Sequence, residues 1–87
     1  MVSQKITVTN ASGLHARPAG ELAKICSKCS SEITLCVGEK RINPKSILIL
    51  MSAAIRCGTE IVVECSGETE QEDLRTILDA IAGGLGE

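Results

Sequence analysis

Three stretches of the chain alternate apolar and polar residues, a pattern typical of half-buried β-strands. They span residues 2–8, residues 33–37 and residues 61–65. After the second stretch, Gly38-Glu39 turns the chain into a short segment at residues 40–42, which predicts a hairpin. The pattern therefore predicts four strands.

Two longer stretches carry apolar residues at three- and four-residue spacing, which predicts amphipathic helices. The first runs from Ala16 to about Cys29. The second begins at a predicted capping box, Thr69-Glu70-Gln71-Glu72, and ends at Gly83-Gly84. Acidic residues are favoured at a helix start, so the acidic run from Glu68 to Asp73 needs no metal to explain it. The apolar positions are Ala19, Leu22, Ile25, Cys26 and Cys29 in the first helix, and Leu74, Ile77, Leu78 and Ile81 in the second.

A third helix is predicted from Ser46 to Ala54 by the residues that flank it. Residues 47–51 are apolar on every side, so periodicity does not distinguish a buried strand from a short helix. Pro44, the strong N-cap residue Ser46 and the lack of β-branching after Met51 favour the helix. In so small a protein, part of this helix is expected to form an exposed docking patch. On the residues alone, a fully covered core helix is an equally good interpretation.

The element order βαββαβα predicts an α+β fold with the helices on one face of one sheet. The pattern does not set the strand order, and a ferredoxin-like split βαβ arrangement has a similar element string. A chain of 87 residues predicts a single domain, residues 1–87, with one modest core and no deep pocket. We therefore expect the chemistry to take place at the surface.

Charge, aromatic content and hydropathy narrow the classes of function. A net charge of −2 and the absence of aromatic residues argue against direct nucleic-acid binding. No apolar run approaches the roughly 20 residues of a membrane span, and the amino terminus lacks the profile of a secretory signal. We therefore expect a cytoplasmic protein without membrane insertion.

The cysteines are interpreted as small core residues. Their number, five, is odd, which fits a reducing compartment better than a disulfide framework. Cys26-Ser27-Lys28-Cys29 has the spacing of a redox pair, but it falls near the far end of the first helix, where the dipole disfavours a thiolate. A zinc site would need two more ligands, and there is no second compact pair. We expect no metal.

The candidate chemistry lies in Gly13-Leu14-His15-Ala16-Arg17-Pro18-Ala19, which holds the only histidine of the chain. A neutral imidazole is the side-chain nucleophile best matched to neutral pH. Pro18 marks a helix start, where unpaired amides and the dipole favour an anion attached to His15. Arg17 adds a planar fork of donors. The alternative is an ordinary surface histidine, which does not account for Gly13, Arg17 and Pro18 as a set.

This run closely resembles the active-site motif of the histidine-containing phosphocarrier (HPr) family of the bacterial sugar phosphotransferase system. The resemblance covers essentially the whole chain, and its second landmark, a serine that opens a short apolar helix, falls on Ser46. It implies an open-faced β-sandwich, in which a four-stranded antiparallel sheet of order 1-4-2-3 carries three helices on one face. It further implies a monomeric phosphoryl carrier without a cofactor, not a stand-alone enzyme.

The resemblance also implies roles for individual residues. Enzyme I would phosphorylate His15 on Nδ1, and His15 would pass the group to a sugar-specific enzyme IIA domain. Arg17 would act with His15, while Ala16, Arg17 and Pro18 would position the phosphate. Ser12 is a further candidate for this role, although a simple turn serine also explains it. The candidate docking residues are Ala19, Ile47, Leu48 and Met51.

Ser46 has two interpretations. As an N-cap it contributes on the order of 1 kcal/mol to helix stability, which is reason enough for a serine there. The resemblance adds phosphorylation by HPr kinase/phosphorylase and binding of a catabolite-control transcription regulator. Ile49, Ala54 and Arg56-Cys57 depart from the family pattern, as does the absence of phenylalanine and tyrosine. These departures leave an alternative function open. In that alternative, the protein is a regulatory adaptor that acts through phosphorylated Ser46 and has little role in sugar transport.

Overall fold

The structure is a computed structural model that describes residues 1–86. Four strands form one antiparallel sheet in the order β1-β4-β2-β3. This confirms the predicted open-faced sandwich and settles the strand order that the hydrophobic pattern left open. The strands are β1 (Val2–Thr7), β2 (Glu32–Val37), β3 (Lys40–Ile42) and β4 (Glu60–Ser66), and the helices are α1 (Ala16–Lys28), α2 (Ile47–Ser52) and α3 (Glu70–Ala82).

The strand register places the apolar positions on one side of the sheet. Cys65 lies between Val2 of β1 and Ile33 of β2, and Val63 pairs with Leu35. Apart from the half-buried Val2, these side chains are buried beneath the helices. The alternation seen in the sequence is therefore the alternation between the core and the open face.

The residues that each helix buries differ in part from those that the periodicity predicted. In α1 the buried residues are Pro18, Ala19, Leu22, Ala23 and Cys26, while Ile25 and Cys29 are only half-buried. In α3 Ile77 and Ile81 are buried and Leu74 and Leu78 flank them. Each of these two helices turns its line of buried residues towards the shared core.

The predicted capping box at Thr69 is wrong. Among the described residues, the Thr69 side chain accepts no capping hydrogen bond from the first turn of α3. Its hydroxyl instead donates to Asp73 Oδ2 at 2.8 Å, and the same oxygen accepts from Ser31 N at 3.0 Å and Ser31 Oγ at 2.5 Å. The threonine hydroxyl is thus a donor in a charge-assisted hydrogen bond to Asp73, and it is not the acceptor that a cap requires.

Two predicted boundaries shift. β1 ends at Thr7, because Val8 bonds to the turn before β4: its N–H donates to Thr59 O at 2.9 Å and its carbonyl accepts from Gly58 N at 2.7 Å. α2 ends at Ser52, because Ala54 adopts a left-handed conformation with φ +53°. In the described part of the chain, no helix is long and apolar enough to cross a membrane.

Candidate functional site

His15 follows a loop that hydrogen bonds hold at three points. Gly13 N donates to Asn10 O at 2.9 Å, which closes the loop on itself. Leu14 N donates to Ile55 O at 2.9 Å, and the Asn10 side chain donates to Gly84 O at 2.8 Å. The chain is therefore fixed to two distant segments before it enters α1.

Gly13 is required by this geometry. Its φ is +69°, in the left-handed region that glycine adopts without strain. A Cβ atom there would lie 2.3 Å from Ile55 O and 2.8 Å from Arg56 Cα, both of them backbone atoms. The loop can approach the segment after α2 this closely only because residue 13 has no side chain.

His15 is the N-cap of α1. Its backbone is extended, with φ −78° and ψ −167°, and its carbonyl accepts the first helical hydrogen bond, from Ala19 N at 2.9 Å. Its side chain is exposed, so the imidazole stands at the amino end of α1 in contact with solvent. The helix start lies where the sequence predicted it, at Ala16.

The first turn of α1 is suited to a bound anion. The N–H groups of Ala16 and Arg17 have no acceptor within the helix, and Pro18 has no N–H at all. The first turn contains no acidic residue, so no side chain of α1 offsets the positive end of the helix dipole there. The imidazole is therefore followed in the chain by two backbone donors without a helical acceptor and by the exposed side chain of Arg17.

The predicted site residues are brought together in part. Ser12, Ala16 and Arg17 are exposed, as His15 is, whereas Pro18 is buried and lies in the first turn of α1. Beside the loop lies a shallow groove lined by Thr9, Asn10, Ala11, Ser12 and Gly84. The site is an open surface, in keeping with the expectation for a chain of this size.

Sequence reasoning missed the contacts that hold the loop in place. Asn10, Ile55 and Gly84 lie far apart in the chain, and no local pattern connects them. The one available signal was Gly13, since an isolated glycine at the end of a turn often marks a close backbone approach.

Ser46 is the N-cap of α2, as predicted. Its Oγ accepts from Ile49 N at 3.3 Å, and its carbonyl accepts from Leu50 N at 3.0 Å. The preceding turn is closed by Lys45 N, which donates to Asn43 Oδ1 at 3.0 Å. Ser46 is half-buried, with its oxygen directed at the helix start.

α2 presents an apolar surface to solvent. Leu48 is 78% exposed, and only Leu50 is fully buried among the apolar residues of this helix. We call the exposed residues Ile47, Leu48, Ile49 and Met51 the α2 surface. α2 packs against α1, so this surface lies on the helix next to the one that begins at His15.

Ala19 does not belong to any exposed surface. Its side chain is 0% exposed, because it points from α1 into the core. The prediction that Ala19 contributes to docking is therefore wrong; its position in the apolar stripe of α1 was the better guide.

The paired cysteines are poor candidates for redox chemistry. Burial raises the pKa of Cys26 to about 12, and it also raises the pKa of Cys29. Both thiols are therefore held in the protonated, unreactive form at neutral pH. Within residues 1–86 there is no group of three or more potential ligands arranged to hold a metal ion.

Comparison with known families identifies the family of this chain. Residues 2–83 match the family model described as the PTS HPr component phosphorylation site. The chain belongs to the HPr family. Proteins of this family are phosphocarriers of the phosphotransferase system, and their partners are components of that system.

Individual relatives agree with this assignment. The chain is 46% identical over 70 residues to the phosphocarrier protein HPr of Mycoplasma capricolum, covering 80% of this chain and 79% of the relative. The structure of HPr from Thermoanaerobacter tengcongensis matches with a TM-score of 0.94 and 34% identity, covering 100% of this chain and 98% of that one.

A regulatory relative is also similar. The catabolite repression protein Crh of Bacillus subtilis, reported as a dimer with a swapping domain, matches with a TM-score of 0.75 and 37% identity. The match covers 97% of each chain.

Proposed function

We propose that this chain, acting as one domain, is the phosphoryl carrier of a sugar phosphotransferase system. His15 accepts the phosphoryl group from enzyme I on Nδ1 and donates it to a sugar-specific enzyme IIA domain in the cytoplasm. The observation that carries the proposal is an exposed imidazole at the N-cap of α1, directly followed by Ala16 and Arg17, whose backbone amides have no acceptor within the helix. The protein is a carrier and needs no cofactor of its own.

The transfer needs a neutral imidazole as nucleophile. The Nδ1 lone pair attacks the phosphorus of phosphorylated enzyme I, a nitrogen–phosphorus bond forms, and the bond to the donor breaks with its electron pair left on enzyme I. The positive end of α1 favours the anionic product once the phosphoryl group is attached. The second step, to enzyme IIA, repeats this exchange with His15 as the donor.

The charge of the transferred group is stabilised by the first turn of α1. The Ala16 and Arg17 amides and the Arg17 guanidinium supply donors where three anionic oxygens would lie. Ser12 Oγ is a further donor from the loop. Because the site is open to solvent, the group is held without being enclosed, and it can be passed on.

We propose that partners dock on the α2 surface. Ile47, Leu48 and Met51 are exposed apolar side chains on the helix that packs beside α1. A partner that covers them would approach His15 at the same time. The chain would act as a monomer, since a second copy seated on this face would compete with enzyme I and enzyme IIA.

A regulatory role at Ser46 is the second candidate function. Phosphorylation by HPr kinase/phosphorylase would place a dianion at the start of α2, beside the docking residues, and would block enzyme I. The phosphorylated face could then bind a catabolite-control transcription regulator. The similarity to Crh, a catabolite repression protein, favours keeping this adaptor role as the alternative.

Reconstituting the relay tests the carrier role. Phosphoenolpyruvate, magnesium, a heterologous enzyme I and an enzyme IIA domain are combined with and without the chain, and phosphorylated enzyme IIA is measured. We expect enzyme IIA to be phosphorylated only when the chain is present, and not with His15→Ala. Equal phosphorylation with His15→Ala would refute the carrier role and leave the adaptor role.

A further inference from the structure

The hydrogen bond from Asn10 Nδ2 to Gly84 O joins residues 74 positions apart in the chain. Its length is 2.8 Å, and Asn10 is only 5% exposed. A buried side-chain amide bound to a backbone carbonyl is shielded from competition with water. This bond ties the loop that precedes His15 to the segment that follows α3.

The acceptor belongs to a segment that is itself anchored. Gly84 N donates to Ile81 O at 3.1 Å, and Leu85 N donates to Ala80 O at 3.1 Å. Leu85 is 3% exposed and belongs to the same buried core as Ile81. The Gly84 carbonyl is therefore held by α3 and the core, and it offers the loop a fixed point.

The donor lies at the base of the turn that leads to His15. The carbonyl of Asn10 accepts from Gly13 N at 2.9 Å, so the residue is held through both its side chain and its backbone. The next contact along the chain, Leu14 N to Ile55 O, holds the other end of the turn.

We propose that Asn10 is a positioning residue for phosphoryl transfer. It acts through the loop, by fixing residues 10–14 against Gly84 so that the imidazole of His15 is presented in one orientation at the start of α1. This inference rests on the carrier function proposed above. It assigns Asn10 no contact with the phosphoryl group.

A positioning role and a merely structural role differ in the kinetics, because the carrier is the substrate of enzyme I. If a variant lowered only the folded fraction, less substrate would be present: the apparent KM would rise while kcat stayed the same. A misplaced imidazole on a folded carrier has the opposite effect. Docking through the α2 surface is intact, so KM is unchanged, and kcat falls because fewer bound complexes have an attacking geometry.

The test is the initial rate of carrier phosphorylation by heterologous enzyme I with phosphoenolpyruvate and magnesium, at a series of carrier concentrations. Asn10→Asp keeps the side-chain shape and removes the donor to Gly84 O. Asn10→Ser, which is too short to reach the acceptor, serves if the first variant does not fold. Ile81→Val is the matched control, because it weakens packing at the same end of α3 and leaves the bond in place.

We expect kcat to fall about ten-fold for the Asn10 variants with KM unchanged, the size of effect that a small misplacement of a reacting group produces. Ile81→Val should keep the wild-type kcat. In nuclear magnetic resonance spectra, the amide signals of residues 12–15 should broaden or shift in the Asn10 variants and not in Ile81→Val.

An unchanged kcat in folded Asn10 variants would overturn the proposal, whether or not the apparent KM rises. Failure of the proposed function is a separate result, because it would appear in the wild-type chain alone: no phosphoryl group would be accepted at any carrier concentration.

Discussion

The N–H of Leu14 donates to the carbonyl oxygen of Ile55 at 2.9 Å, which fixes the residue before His15 to the segment that follows α2. Leu14 leads into α1, and Ile55 comes directly after the turn that ends α2. This backbone contact therefore links the loop before His15 to the end of α2, and it depends on Gly13.

Gly13→Ala should disrupt this contact. The substituted residue would bear the left-handed strain of about 1–2 kcal/mol and would also place its Cβ against the Ile55 carbonyl, so we expect a total loss above about 2 kcal/mol in the free energy of unfolding. Urea unfolding measures it.

Gly38→Ala is the matched control for Gly13→Ala. Gly38 has a similar φ of +61°, but a Cβ there would meet nothing within 4 Å. Only the conformational cost applies, about 1–2 kcal/mol. Equal losses at the two positions would show that the contact with Ile55 is unimportant.

Ala54→Gly should stabilise the protein. Ala54 is the left-handed residue after α2, and its N–H donates to Met51 O at 3.2 Å, a helix ending that glycine favours. Relief of strain outweighs the added freedom of the unfolded chain, and we expect a net gain of about 0.5 kcal/mol in the free energy of unfolding.

The neighbouring substitution Ala53→Gly is the control. Ala53 has φ −72°, which alanine adopts without strain, so glycine there should cost about 0.5–1 kcal/mol. Chemical denaturation of both variants gives the two values. A loss of stability in Ala54→Gly as large as that in Ala53→Gly would contradict this account of the helix ending.

Substitutions at Ser46 separate capping from docking. Ser46→Ala removes the acceptor for Ile49 N and should lower the free energy of unfolding by about 1 kcal/mol, whereas Ser46→Asp retains a good cap and should change it by less than about 0.5 kcal/mol. For the KM of enzyme I the order should be the opposite, with the larger effect in Ser46→Asp. The aspartate places a negative charge beside the α2 surface and should raise KM, while the alanine should leave KM unchanged.

Steady-state phosphorylation by enzyme I checks both Ser46 variants. The same KM in the two variants would mean that charge at the start of α2 does not affect docking, and it would remove the support for regulation through this residue.

The Asp73 carboxylate should make the protein sensitive to acid. Hydrogen bonds from the Ser31 side chain, above all, and from Thr69 lower the pKa of Asp73 below its ordinary value. The folded state therefore binds this proton less readily than the unfolded chain. The stabilisation is fully present above the unfolded pKa of about 3.9 and is lost as the pH falls through the folded pKa.

Urea unfolding between about pH 2 and pH 5, the range that spans the loss, measures this contribution. The free energy of unfolding should fall less steeply in acid for Asp73→Asn than for the wild type. Ser31→Ala removes the main donor and should flatten the same part of the curve. If neither variant alters the acid slope, the Ser31–Asp73 contact does not control acid stability.

The secondary structure and the centre of the site were predictable because both are local in sequence. Hydrophobic spacing reports which face of a strand or helix is buried, and His15, Arg17 and Pro18 fall within one helical turn, so a linear pattern was sufficient. The strand order was different: it depends on which strands pair across the sheet, and it followed only from the family resemblance.

The errors and omissions concern partners that are distant in sequence. The capping box at Thr69 was predicted from four consecutive residues, but Ser31 holds Asp73 in place and Asp73 takes the threonine hydroxyl. Ala19 was assigned to docking from its place in the motif, although the core covers it. The bond between Asn10 and Gly84 had no local signal at all.

The most direct test of the central claim is the intact mass of the chain after incubation with phosphoenolpyruvate, magnesium and a heterologous enzyme I. We predict a gain of one phosphoryl group in the wild type that mild acid removes, and no gain in His15→Ala. With enzyme I shown to be active on a control carrier, an unchanged wild-type mass, or an equal gain in His15→Ala, would contradict the account.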